Sequence, residues 1–94
     1  MGTERVVVGA VKDDARARAA ARRLRDAGHE VIFVGGQQSV EQLARTAVAE
    51  DAAQIVADAD VDNLRRLVEE CEALDAADIT VDAVASWCDV SDAT

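Results

Sequence analysis

Short apolar runs alternate along the chain with longer segments that repeat apolar residues every three or four positions. Four runs carry Val or Ile between polar or glycine boundaries, and they cover residues 5–9, 30–36, 53–57 and 79–84. Apolar runs of this length are typical of strands buried on both faces of a parallel sheet. The pattern therefore predicts four strands separated by helices.

The first helical segment covers residues 14–27. Its apolar and small residues share one helical face: Ala17, Ala20, Ala21 and Leu24. Asp13 or Asp14 is placed to cap its start, and Gly28 is placed to end it. Another face of the same helix carries a stripe of arginines, namely Arg18, Arg22 and Arg25.

The second and third helices are likewise predicted from a capping residue and a stripe of apolar residues. Ser39 and Gln42 form a capping box, after which the predicted buried residues are Val40, Leu43, Ala44, Ala47 and Val48. The third helix begins near Asp60 or Asp62. Its predicted apolar stripe is Val61, Leu64, Leu67, Val68, Cys71 and Leu74.

Strands that alternate with helices indicate right-handed crossovers and a parallel sheet. We expect an α/β fold with four strands in the order 2-1-3-4 and three helices. Residues 1–84 form the predicted domain, and residues 85–94 form a polar tail that contains one large side chain, Trp87.

Charge narrows the classes of function. The 94 residues include 19 acids and 10 bases, for a net charge of −9. Residues 1–45 hold 8 bases and 6 acids, whereas residues 46–94 hold 2 bases and 13 acids. Such an excess of acid is typical of a halophilic protein, and the alternative is an acidic surface that docks a basic partner. Binding to nucleic acid is not expected, because phosphate contacts need a basic surface.

The cysteines and the hydropathy of the chain indicate the cellular compartment in which it is found. Cys71 and Cys88 are far apart and form no CxxC motif, so neither a metal site nor a thioredoxin-like site is predicted. Cys71 is expected in the core and Cys88 in the tail. No apolar run is long enough for a membrane span or a signal peptide. We therefore expect a cytoplasmic protein without a membrane partner.

Six segments carry a resemblance to a known family: residues 5–9 (RVVVG), 24–35 (LRDAGHEVIFVG), 38–42 (QSVEQ), 49–51 (AED), 67–70 (LVEE) and 75–79 (DAADI). Together they resemble the cobalamin-binding domain of methylmalonyl-CoA mutase and its relatives. The resemblance covers roughly residues 5–84. It implies a flavodoxin-like, doubly wound sheet, here truncated to four strands because the family's fifth strand and helix have no counterpart.

The ligand motifs of that family are missing. Its first turn holds D-x-H-x-x-G with the cobalt-ligating histidine, where this chain reads KDDARA over residues 12–17. The family's S-x-L after the third strand is replaced by residues 58–60 (DAD), and its G-G after the fourth by Val84 and Ala85. The only histidine, His29, belongs to the opposite end of the sheet. We expect neither cobalamin nor any other cofactor.

The leading hypothesis is a non-catalytic protein–protein interaction module. The resemblance implies a small accessory subunit of a larger enzyme complex, one that metabolises acyl-CoA. A sheet that ends at its fourth strand exposes an edge, which another protein or a second copy would cover. The candidate contact residues are Val81 and Ala83 on that strand, Trp87 in the tail, and the stripe Arg18, Arg22 and Arg25. For Trp87 the alternative is that it folds back over the sheet.

Two other hypotheses stay open. Asp13, Asp14 and Asp58 occupy places like those of the acidic pocket in two-component receivers, and clustered carboxylates bind Mg²⁺. Alternatively, Arg16 and Arg18 near the strand ends bind a small molecule. Catalysis is not expected, because one histidine and two distant cysteines assemble no nucleophile–base pair.

Overall fold

Four parallel strands form one sheet in the order β2-β1-β3-β4, which confirms the predicted fold class. In this computed structural model residues 4–87 are described. The elements are β1 (Arg5–Ala10), α1 (Ala15–Asp26), β2 (Glu30–Gly35), α2 (Val40–Ala49), β3 (Gln54–Asp58), α3 (Val61–Ala73) and β4 (Thr80–Ala83), followed by a 3-10 turn (Val84–Ser86).

The helices lie on both faces of the sheet. Val7 of β1 packs with residues of α2 and α3, among them Leu43 and Leu67. Val6 and Val8 point to the other face, where they pack with α1 residues such as Leu24. Because successive side chains of a strand point to opposite faces, the central β1 strand is apolar throughout its buried part.

The helix boundaries follow the predicted signals. Ser39 and Gln42 form the capping box, with both side-chain to backbone hydrogen bonds present. The Asp60 carboxylate accepts from the Asn63 backbone N–H at 2.8 Å and caps α3. At α1 the carboxylate that accepts from Ala15 is that of Asp13, at 3.1 Å. Gly28 follows α1 with a left-handed φ of 99°.

Three valines predicted to be buried are exposed. Val48 and Val68 are each 42% exposed and Val61 is 69% exposed, so these predictions are wrong. Val61 is the first residue of α3, where no preceding turn covers it, and Val68 lies two turns further on the same flank. The predicted stripe is wider than the face that the sheet covers, since only Leu67 and Cys71 of α3 are fully buried.

Two further predictions have different outcomes. Cys71 is buried in the core, as expected, whereas Cys88 lies outside the described residues. Within residues 4–87, no helix combines the length and the hydropathy required to cross a bilayer.

Candidate functional site

A groove of about 480 Å³ opens at the carboxyl ends of β1 and β3. Its walls are the β1–α1 loop and the β3–α3 loop. The residues that line it are Val11, Lys12, Asp13, Arg16, Asp58, Ala59, Asp60 and Asn63. The two strands are neighbours, but their following helices leave toward opposite faces of the sheet, and this divergence opens the groove. Such a switch point is where open α/β sheets bind ligands.

The polar groups of the groove are largely engaged with one another. Arg16 forms an ion pair with Asp58 at 3.6 Å. The Asp13 and Asp60 carboxylates accept from the first turns of α1 and α3, respectively. The Val11 backbone N–H donates to the Asp58 carbonyl at 3.1 Å, which ties the two loops together. The groove is therefore preformed, with mixed charge.

The predicted acidic pocket is only partly assembled. Asp13 and Asp58 line the groove, but the Asp14 carboxylate lies 3.1 Å from the Arg18 guanidinium in an ion pair. Over residues 4–87, no group of three or more His, Cys, Asp or Glu side chains is placed to hold a metal ion. Asp13 and Asp58 thus share the groove, whereas Asp14 is paired with Arg18 outside it.

The second surface with functional potential is the flank of α3 beside β4. Arg66 of α3 reaches Glu41 of α2 with an N–O distance of 3.6 Å, which fixes the side of α3 that faces α2. Val61 and Val68, seven residues apart, share the other flank of the helix. Because α3 packs against both α2 and β4, we infer that this flank faces the outer strand and that the two exposed valines lie beside β4. No local sequence signal separates them from the buried stripe.

Strand β4 presents different chemistry on its two faces. Val81 packs against the cluster formed with α2 and α3, and Ala83 is half-buried. On the α1 side, Thr80 is exposed, and the Asp82 carboxylate accepts a 2.6 Å hydrogen bond from the Gln54 side-chain amide. The α1-side face of the outer strand is therefore polar. Among the described residues β4 pairs only with β3, so its other edge is open.

Trp87 folds back over the α1 side of the sheet. It packs against the cluster that contains Val84 and Leu24, and it is half-buried. Its ring meets that of His29, with the centroids 6.1 Å apart. This packing agrees with the alternative in which Trp87 folds back over the sheet, and its role as a partner contact stays a prediction.

The arginine stripe flanks β2. The Arg18 guanidinium carbon lies 5.3 Å from the centre of the Phe33 ring. Arg22 and Arg25 follow Arg18 by four and seven residues, so they lie on the same flank, and both are exposed. A shallow groove along α1, about 530 Å³ in volume, is bordered by Arg18, Arg22 and Arg23.

Comparisons with known proteins add no family. No protein-family model matches the chain, and no curated protein matches it significantly.

Proposed function

We propose that this chain is a non-catalytic protein–protein interaction module, a small accessory subunit that associates through the open edge of β4 and the adjoining flank of α3. One observation carries the proposal: the outer strand borders two exposed valines, Val61 at 69% and Val68 at 42% exposure. Open strand edges beside apolar side chains are surfaces that other polypeptides pair with.

The chemistry of the two faces of β4 indicates how a partner would approach. On the α1 side, Thr80 and Asp82 are polar and offer little apolar area. On the other side, Val81 and the α3 flank offer apolar contact. A partner strand would therefore align with β4 and place its apolar side chains under α3.

A non-catalytic role agrees with where the reactive side chains lie. His29 stands between α1 and β2 and contacts Trp87. Cys71 lies on the buried face of α3, and burial raises the pKa of its thiol, with the carboxylates of Glu70 and Glu72 adding to the effect. A thiol with a raised pKa is a weak nucleophile at neutral pH.

Site-specific photo-crosslinking tests the proposal. A photoreactive amino acid would replace Val68, and the matched control would place it at Glu69, which is also exposed but faces away from β4. We expect a cross-linked protein product from position 68, identified by mass spectrometry, and little or none from position 69. Equal yields from both positions, or no product from either, would contradict the proposal.

A small-molecule site at the switch point is a second candidate function. The groove of about 480 Å³ lies within the range of roughly 300–1,000 Å³ that small ligands occupy. Lys12 and Arg16 supply cationic groups at its rim. Thermal-shift screening against small carboxylates and phosphates, with Lys12→Ala as the control for site specificity, would test it.

Cobalamin is tested separately by titrating the chain with hydroxocobalamin. We expect the visible spectrum of hydroxocobalamin to stay unchanged.

A further inference from the structure

We propose that the partner at β4 is a second copy of this chain, which docks through its β2 edge so that the sheet continues from copy to copy. The inference rests on the proposed function, because it supplies the β4 surface with an occupant. The two contacting surfaces differ: one is the β4 edge with the α3 flank, and the other is the β2 edge with the arginine flank of α1.

Strand direction and layering permit this arrangement. β2 and β4 are the two outer strands of a sheet in which every strand is parallel. When β2 of one copy lies beside β4 of the next, the strands stay parallel and each helix layer continues across the junction. The layer that holds α1 in one copy then meets the α1-side face of β4 in the other.

Charge complementarity favours this pairing in the α1 layer. Arg22 and Arg25 are exposed on the flank that faces β2. The α1-side face of β4 carries Asp82. The exposed Asp78 lies two residues before that strand, beside the ends of α2 and α3. In the continued sheet the arginines of one copy approach Asp82 of the next, and Asp78 adds negative charge near the same junction. Pairing of two β4 edges, or of two β2 edges, would instead bring like charges together.

Apolar contact favours the pairing in the other layer. Ile32 and Val34 of β2 are half-buried against the cluster formed with α2 and α3. Across the junction they would meet Val61 and Val68, the valines that border β4. Arg65 lies on this part of α3 as well, but it is paired with Asp62 at 3.4 Å. The apolar side chains of β2 in one copy and of α3 in the next would thus cover each other.

Because the two surfaces are different, the contact is heterologous and does not close as a two-fold dimer does. The expected behaviour is a series of species that grows with protein concentration. Sedimentation velocity in about 0.15 M salt, where charges are screened beyond about 8 Å, would measure it. A discrete dimer at high concentration, or a monomer throughout, would overturn the inference.

Complementary variants test which surfaces meet. Arg22→Glu with Arg25→Glu damages the β2 surface, and Val61→Asp with Val68→Asp damages the β4 surface. Each double variant alone should need a protein concentration about tenfold higher or more to associate. Their equimolar mixture retains one intact pair of surfaces, so it should form a 1:1 dimer and no larger species.

Matched controls isolate the surfaces. Arg45→Glu reverses an exposed arginine on α2, and Val48→Asp changes a valine with the same 42% exposure as Val68. Both should associate like the unmodified chain, and circular dichroism should show every variant folded. Association of the arginine variant alone into a dimer would indicate β4–β4 pairing and overturn the inference. Cross-linking from position 68 to a different protein, with no self-association, would overturn this inference but support the proposed function.

Discussion

The Trp87 indole meets the His29 imidazole edge to face, with ring centroids 6.1 Å apart and ring planes at 78°. His29 lies between α1 and β2, whereas Trp87 follows the last strand of the sheet. The contact therefore links the α1–β2 turn to the segment that follows β4, on the α1 side of the sheet. Since α1 is the only helix of residues 4–87 on that side, Trp87 and Val84 supply the rest of the cover.

Replacing Trp87 with alanine should destabilise the fold. The side chain is half-buried, so the expected loss in free energy of unfolding is about 2 kcal/mol, below the about 3–5 kcal/mol typical of a fully buried aromatic residue. Urea unfolding followed by circular dichroism measures it without depending on the lost fluorophore.

His29→Ala is the matched control for the ring contact, and it should cost about 1 kcal/mol, the typical value of an aromatic pair. If Trp87→Ala leaves the free energy of unfolding unchanged but abolishes association, Trp87 is an interface anchor and not part of the core.

Gly36→Ala should be much more damaging than Gly28→Ala. A Cβ at Gly36 would collide with the Lys12 carbonyl oxygen, and the neighbouring Gln37 backbone N–H donates to that same oxygen at 3.0 Å. Because backbone must move, we expect a cost of about 3 kcal/mol, the upper part of the overpacking range.

Gly28 separates steric collision from backbone strain. Its φ is 99°, yet nothing lies within 4 Å of a Cβ built there. Gly28→Ala should therefore cost only the left-handed backbone penalty, about 1–2 kcal/mol. Equal losses in chemical-denaturation experiments on the two variants would show that the β2–α2 connection adjusts to the added methyl group.

Stability should fall at alkaline pH partly through Cys71. Burial, with Glu70 and Glu72, raises the pKa of the folded-state thiol. The folded chain therefore holds this proton more tightly than the unfolded chain. The stabilisation is complete below the unfolded pKa of about 8.5 and is lost as the pH rises through the higher folded pKa.

The measurement compares the unfolding free energy at neutral and alkaline pH for the Cys88→Ser chain with and without Cys71→Ala. The Cys71→Ala chain should lose less stability between the two conditions, because titrations of the other groups are common to both. Identical pH slopes would mean that the buried thiol keeps its proton no better than it does in the unfolded chain.

The sequence predicted the sheet because its apolar period changes sharply between elements. The short strand-like runs and the capping box at Ser39 and Gln42 are local signals, and the structure agrees with both. The parallel direction of the strands follows from the alternation of strands and helices. The element types and this direction can therefore be predicted without knowing which side chains come into contact.

The exposure of the valines could not be predicted, because it depends on contacts between elements and not on a local signal. Val61 and Val68 fit the helical period of α3, but their exposure depends on whether another element lies beyond β4. Likewise, Asp13 and Asp14 are adjacent in sequence, but the Asp13 carboxylate accepts from the Ala15 backbone N–H, whereas Asp14 pairs with Arg18. Periodicity describes one helix at a time, whereas a site is set by contacts between elements.

Salt should stabilise the fold. Residues 46–94 hold 13 acids and 2 bases, and α3 has acids but no base in its last turn. Negative charge near a helix C-terminus is unfavourable, and the acids repel one another at low ionic strength. Salt reduces the distance over which these charges repel one another. The melting temperature should therefore be higher in about 2 M KCl than in about 0.1 M KCl.

Glu72→Gln with Asp75→Asn tests whether these charges cause the effect. Both residues are exposed at the end of α3, and removing their charge should raise the melting temperature at low salt and reduce the gain produced by KCl. A neutral osmolyte that matches the water activity of the KCl solution controls for non-specific salting effects. Equal melting temperatures at both salt concentrations would argue against adaptation to a salt-rich cell. Such a result would favour the alternative in which the acidic surface binds a basic partner, because that role requires no gain in stability from salt.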